Sequence, residues 1–234
     1  MEKIKTISND SEAEIIEKKS KFIANLYYVN SIEEVEEKLK NLKKKYYDAR
    51  HNCYAYRIIK DNAIIERASD DGEPSGTAGA PMLNIIKKME LANILIVVTR
   101  YFGGILLGTG GLVKAYSEAT KKAIENSKFA IEESGIIAEI KLNYSDFENF
   151  KYCCKKSNIN IINAEYLDNI ICKFEATNDE KEELLKYIEK NEIKIIDFKI
   201  LTNKNIRKKS IPKTIAIFWK KEYNLICKYF TNIR

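Results

Sequence analysis

The stretch ERASDDGEPSGTAGAPMLNIIKKMELANILIVVTRYFGGILLGTGGLVKAY, residues 66–116, decides the fold. Eight of the nine glycines fall inside it (Gly72, Gly76, Gly79, Gly103, Gly104, Gly108, Gly110 and Gly111), with two of the three prolines, Pro74 and Pro81. Glycine permits positive φ and close backbone approach and costs entropy elsewhere. A chain that otherwise avoids it has gathered its unusual backbone into two loops. Between them, Ala92 to Thr99 is β-branched and apolar on both faces, which predicts a central strand covered on both sides. Each loop leads into a helix, one over about 77–89 and one opened by Gly108-Thr-Gly-Gly, with Leu112, Ala115, Ala119 and Ala123 as its inward stripe.

Upstream, residues 12–29 read as two strands around a Lys18–Lys19 turn. Ser31 and Glu34 carry a capping-box pattern ahead of a helix with Ile32, Val35, Leu39, Leu42 and Tyr46 on one face. His51–Ile59 and Ala63–Arg67 read as paired strands joined at Lys60-Asp61-Asn62, with Tyr54 and Tyr56 on one face. The first module is therefore ββαββαβα, an α+β arrangement over residues 1–134. The pattern stops near Ser127–Gly135 and restarts. Ile136–Leu142, a helix capped through Ser145 and Glu148, a hairpin of Ile159–Tyr166 with Asn169–Ala176, a helix capped by Asn178, and a strand over Glu192–Leu201 follow. This βαββαβ order over 135–201 is that of a ferredoxin-like domain. Residues 202–234 read as a basic extension, either a docked helix or an arm. No internal repeat links the modules.

Composition narrows the classes. Apolar content of 45% and charged content of 32% belong to a folded chain. No apolar run approaches a membrane span, and MEKIKTISND has no signal-peptide core, so a cytoplasmic protein is expected. Five cysteines without a CxxC read as buried thiols rather than a zinc site or disulfide framework. The net charge of +6 is uneven: residues 199–234 hold ten basic residues against Glu222 alone. Such a segment attracts nucleic acid, or is simply solvated.

Several residues are candidates for chemistry. His51 is the sole histidine and Cys53 lies two residues on, so both face one side of a strand and a Cys–His pair is conceivable. Asp70, Asp71 and Glu73 crowd one loop beside Glu66 and Arg67. Three such carboxylates suit Mg²⁺, although EF-hand spacing is not met and turn or cap roles compete. Ser75, Gly76 and Thr77 in one loop, and Gly108, Thr109, Gly110 and Gly111 in the other, precede helices whose N–H groups suit a phosphate. Neither loop is a Walker A sequence. Arg100, Tyr101 and Phe102, followed by Gly103 and Gly104, offer a guanidinium and two rings to a phosphate and a base, or to a protein partner. An internal ion pair with packed aromatics is the competing reading.

Four motifs together resemble one family: SKFIA at 20–24, H-x-C-x-A-Y-R at 51–57, ERASDDGEPSGTAGAPML at 66–83 and VTRYFGGILLGTGGLVKAY at 98–116. They are similar to the IMPACT family in its bacterial YigZ-like form, over residues 10–200. The resemblance implies an N-terminal domain like the second domain of a small-subunit ribosomal protein, and a C-terminal domain like the ferredoxin-like domains of elongation factor G. It implies for eukaryotic relatives translational regulation by competition for the activator of a starvation kinase. The expectation is a non-enzymatic binding protein associated with translation, whose glycine-rich face binds RNA, the ribosome or a translation-related protein, with no resident cofactor. A phosphate-ligand-binding protein or Mg²⁺-dependent enzyme using the two helix starts and the acidic loop is the alternative.

Overall fold

The computed structural model describes residues 3–60 and 63–208. Asp61 and Asn62 of the expected turn, and residues 209–234 of the extension read as a helix or arm over 202–234, lie outside the described residues, while residues 202–208 of that extension are strand. The chain forms two compact units, one built from Ile4–Ile131 and the other from Glu132–Arg207.

The first unit contains β1 (Ile4–Ile7), β2 (Ser11–Glu17), β3 (Ser20–Tyr28), α1 (Ile32–Lys45), β4 (His51–Lys60), β5 (Ala63–Ser69), α2 (Gly79–Lys88), β6 (Ile94–Tyr101) and α3 (Gly108–Asn126). Its main sheet has the order β2-β3-β6-β4-β5, and every neighbouring pair is antiparallel. Lys18 and Lys19 take positive φ in the β2–β3 turn. The Ser31 hydroxyl accepts from Glu34 N–H, while the Glu34 carboxylate accepts from Asn30 N–H, one residue earlier than a strict capping box.

Both faces of this sheet are covered, although antiparallel sheets commonly leave one face wet. Val35 and Leu42 of α1, with Tyr46 just past its end, join Tyr56, Ile58, Leu95 and Val97 on one face. Met82 and Ile86 of α2 and Leu112, Ala115 and Tyr116 of α3 join Phe22, Cys53, Ile96 and Val98 on the other. This explains the unbroken apolar run of β6. Strand β1 is an addition to the expected order; it pairs with β7 (Phe129–Leu142), whose first residues belong to this unit.

The second unit completes β7 and adds α4 (Tyr144–Lys156), β8 (Asn160–Tyr166), β9 (Ile170–Thr177), α5 (Asn178–Lys190) and β10 (Ile195–Lys208). Its strands lie in the order β10-β7-β9-β8, the arrangement of the expected βαββαβ motif. Four boundaries differ from the sequence reading. Strand β7 runs unbroken through Ser134–Gly135, where a restart was expected. Helix α4 has Asn143 as its N-cap rather than a Ser145–Glu148 box, and the Ser145 hydroxyl, already inside the helix, donates to Asp146. Helix α5 is capped by Thr177, not Asn178, in a full capping box with Glu180. Strand β10 also continues seven residues beyond Leu201.

Candidate functional site

The site is the C-terminal edge of β6 with the two loops that flank it. Strand register places Arg100 between Phe22 of β3 and His51 of β4. Side chains alternate along a strand, so Arg100 shares the α2/α3 face with Val98, Cys53 and His51. Tyr101 turns to the α1 face, where its hydroxyl donates to Asp48 at 2.8 Å. The expected trio Arg100-Tyr101-Phe102 is thus split between two faces of the sheet.

Arg100 is not free to meet a ligand. Its Nη1 donates to Glu73 Oε1 at 2.7 Å, with the two side chains only 7% and 4% exposed. Its Nη2 reaches the buried Ser20 hydroxyl at 3.5 Å, and the guanidinium lies 5.5 Å and 5.6 Å from the Phe22 and Phe102 ring centres. The Tyr116 hydroxyl donates to the same Glu73 Oε1 at 2.9 Å. The phosphate-binding reading of Arg100 gives way to an internal ion pair that ties the acidic loop to β6 and α3.

Each acid of the loop has protein partners. Asp70 accepts from the backbone N–H groups of Gly76, Ala78 and Gly79 at 2.8–2.9 Å. Burial pushes its carboxyl up, but these three donors outweigh burial and hold it below the usual value. The anion at the start of α2 is therefore the chain's own carboxylate. Asp71 accepts from Asn52 N–H at 2.7 Å through its side chain and from His51 Nδ1 at 2.9 Å through its carbonyl. The hydroxyl of Thr77, which is buried, donates to Pro74 O. Among the described residues, no group of three or more His, Cys, Asp and Glu side chains converges as metal ligands do.

His51 and Cys53 share a face but not a hydrogen bond. The Cys53 thiol lies 2.9 Å from Asp70 O and 3.3 Å from the Tyr116 hydroxyl, so its proton goes to one of them at a time. Burial pushes this thiol up to about 12, which leaves it protonated at neutral pH. Burial, then the Cys53 and Glu73 neighbours, likewise raises the Tyr116 hydroxyl well above the usual tyrosine range. Cys53 is a buried donor rather than a thiolate nucleophile.

Of the sequence candidates, His51, Asp70, Asp71, Glu73, Thr77 and Arg100 converge. A Cβ on Gly72 would lie 3.3 Å from His51 Nδ1. Arg67, Ser75, Gly76, Gly104, Gly108, Thr109 and Gly110 are exposed, and Gly111 is half-buried. A Cβ on Gly103 would lie 2.0 Å from the Lys19 carbonyl carbon, so Gly103 lets the loop rest directly on the β2–β3 turn. Helix α3 starts without a side-chain cap. Around that start, Phe102, Ile105, Leu106 and Val113 are exposed, Leu106 by 83%.

The sequence profile of the Impact N-terminal domain matches residues 18–124. The IMPACT family member YvyE of Bacillus subtilis is 37% identical over 177 residues, which span 76% of this chain and 80% of the relative. The chain belongs to the IMPACT family. IMPACT family member YigZ of Escherichia coli is 44% identical over 108 residues, 46% of this chain and 53% of its own length. A crystal structure described only as a hypothetical protein is 28% identical, with a TM-score of 0.57 over 86% of this chain and 98% of its own.

In this IMPACT family chain, Ser20, Asn52 and Tyr116 complete the network and were absent from the sequence-derived candidates, while Cys53 enters it as a hydrogen-bonding thiol rather than as the partner of His51. Tyr116 was within reach, since it lies four residues after Leu112 on the inward stripe of α3. Ser20 and Asn52 were not, because only strand register brings them beside Gly103, Arg100 and Asp71. Among the described residues, no helix is long and apolar enough to cross a membrane.

Proposed function

We propose that this protein is a non-enzymatic, cytoplasmic binding protein of the translation apparatus, and that a translation-related protein docks on the glycine-rich face of the first unit. The translational setting rests on family membership and on the regulatory role that the resemblance implies for eukaryotic relatives. The observation that favours a protein partner is the exposed apolar set Phe102, Ile105, Leu106 and Val113 around the start of α3. Aromatic and aliphatic anchors beside open backbone suit a protein interface. Arg100, the cation that the sequence offered to a polyanion there, is committed to Glu73. The reading of a phosphate ligand or Mg²⁺-dependent enzyme has less support, because Asp70 fills the α2 terminus and Arg100 with Tyr116 occupies Glu73.

The test compares wild type with Leu106→Glu in quantitative affinity capture from nuclease-treated extract of the native host. The expected outcome is a translation factor or ribosomal protein held by the wild type and lost by the variant. Equal capture by both proteins overturns the assignment of this face.

A further inference from the structure

We propose that the turn joining α1 to β4, residues 46–50, is a contact site for single-stranded RNA, on a surface separate from the apolar patch described above. Tyr47 is 85% exposed, more than any other large apolar side chain among the described residues. Its neighbour Tyr46 is buried in the α1 face of the core, which turns Tyr47 outward. Residues 43–50 carry four exposed cations, Lys43, Lys44, Lys45 and Arg50, and a single carboxylate, Asp48, which accepts from the Tyr101 hydroxyl. Lys40, one turn earlier on the same outer side of α1, adds a fifth.

Carboxylates from other elements neutralise only part of this group. Lys45 pairs with Glu12 at 3.3 Å, and Lys43 only reaches Asp71 at 4.0 Å. Among the described residues, Lys40, Lys44 and Arg50 have no ion-pair partner. Helix polarity accounts for part of the pattern: Glu33 and Glu34 sit in the first turn of α1 and Lys43–Lys45 in the last, as the macrodipole favours. It does not account for Tyr47 or Arg50, which lie beyond the helix end. A projecting phenol ring flanked by unpaired cations is the combination that stacks an unpaired base while neutralising its flanking phosphates. A duplex, whose bases already stack on each other, leaves the ring unused.

The experiment is fluorescence anisotropy of a labelled oligouridylate with the full chain, over a salt series. Wild type is expected to bind at low salt and to weaken as salt rises. Tyr47→Ala should weaken binding about 5- to 100-fold, the effect of one lost stacked base. Lys44→Gln with Arg50→Gln should lower the slope of log affinity against log salt by about 0.7 per removed cation. All three residues are exposed, so circular dichroism and urea midpoints should match the wild type. Leu106→Glu should leave the RNA affinity unchanged, which separates this proposal from the protein-docking reading. Absence of binding at low salt overturns it. So does affinity that survives Tyr47→Ala with an unaltered salt slope in the double variant, since the RNA contact then lies elsewhere on the chain.

Discussion

Breaking the buried pair of Glu73 and Arg100 tests whether the acidic loop is held from beneath. The two charges meet at 2.7 Å with almost no exposure. At an effective dielectric of about 20, their gross attraction is about 6 kcal/mol. Desolvating the two ions costs several kcal/mol each, so the intact pair lies near balance against apolar groups of the same volume. Removing one member is a different matter. Glu73→Gln preserves shape and can still accept from Tyr116, yet leaves a guanidinium buried without a counter-charge, at a cost of about 3–5 kcal/mol. Arg100 would then keep only the long 3.5 Å contact of Nη2 with the Ser20 hydroxyl and its packing on Phe22 and Phe102, none of which carries a counter-charge.

Arg100→Met should cost a similar amount for the converse reason, and the double variant should be much less destabilised than the two together. The expected coupling is about 2 kcal/mol or more. Hydrogen exchange of the β6 amides in a urea series, read by mass spectrometry, reports the opening of the first unit by itself. A Glu73→Gln cost below about 1 kcal/mol, or additivity of the two changes, refutes the reasoning. The pair would then behave as a hydrated surface contact.

The Asp70 carboxyl is held below its ordinary value of 3.8 in the folded chain. Its stabilisation is therefore complete above the unfolded value and is lost as pH falls through the lower folded one; Asp70→Asn should flatten the dependence of the urea midpoint between about pH 5 and about pH 2. Gly103→Ala drives a methyl group into the Lys19 backbone and should cost about 1–3 kcal/mol or more, measured by the same exchange of β6. Cys53, with its thiol pushed up to about 12, should resist iodoacetamide at neutral pH in the native chain and react in urea; native labelling at the rate of free cysteine contradicts its burial. Gly110→Ala meets nothing within 4 Å and should raise α3 stability by up to about 1 kcal/mol in thermal unfolding, while reducing capture of a partner that approaches the α3 backbone closely.

Elements whose apolar period is complete were legible in the sequence. The β2–β3 hairpin, the Ser31 cap, the inward stripe of α3 and the doubly covered β6 all follow from pattern and turn chemistry. What escaped the pattern had physical reasons. Strand β1 has only four residues, too few for a period to show. Strand β7 carries Glu132, buried at a position where alternation calls for an apolar residue, so the strand read as ending. In β10, TNKNIRK shows little apolar alternation before Ile206, and exposed polar residues do not announce a strand. The α5 cap was misplaced by one residue because Thr177 and Asn178 are both capable caps, and only the reciprocal bonds with Glu180 choose between them.

The glycine-rich motifs call for a finer separation. Their density suggested a ligand site, but the structure divides them by cause. Gly103 and Gly79 are required because backbone from another segment lies where a Cβ would stand. The acids of the first loop, Asp70, Asp71 and Glu73, are drawn inward by Asn52, Arg100, Tyr116 and the N–H groups at the start of α2. Most of the polar content of these motifs is thus spent on holding two loops against one sheet edge. That leaves outward-facing backbone at Gly104, Gly108 and Gly110, and the apolar side chains of Phe102, Ile105, Leu106 and Val113. Reaction chemistry needs polar groups whose hydrogen-bonding capacity remains available, and here that capacity is turned inward. A partner surface needs a rigid platform carrying apolar anchors, and the inward bonds supply that rigidity. The same bonds that remove Arg100 from the list of ligand contacts therefore hold the loop above it in place, as the proposed docking face requires.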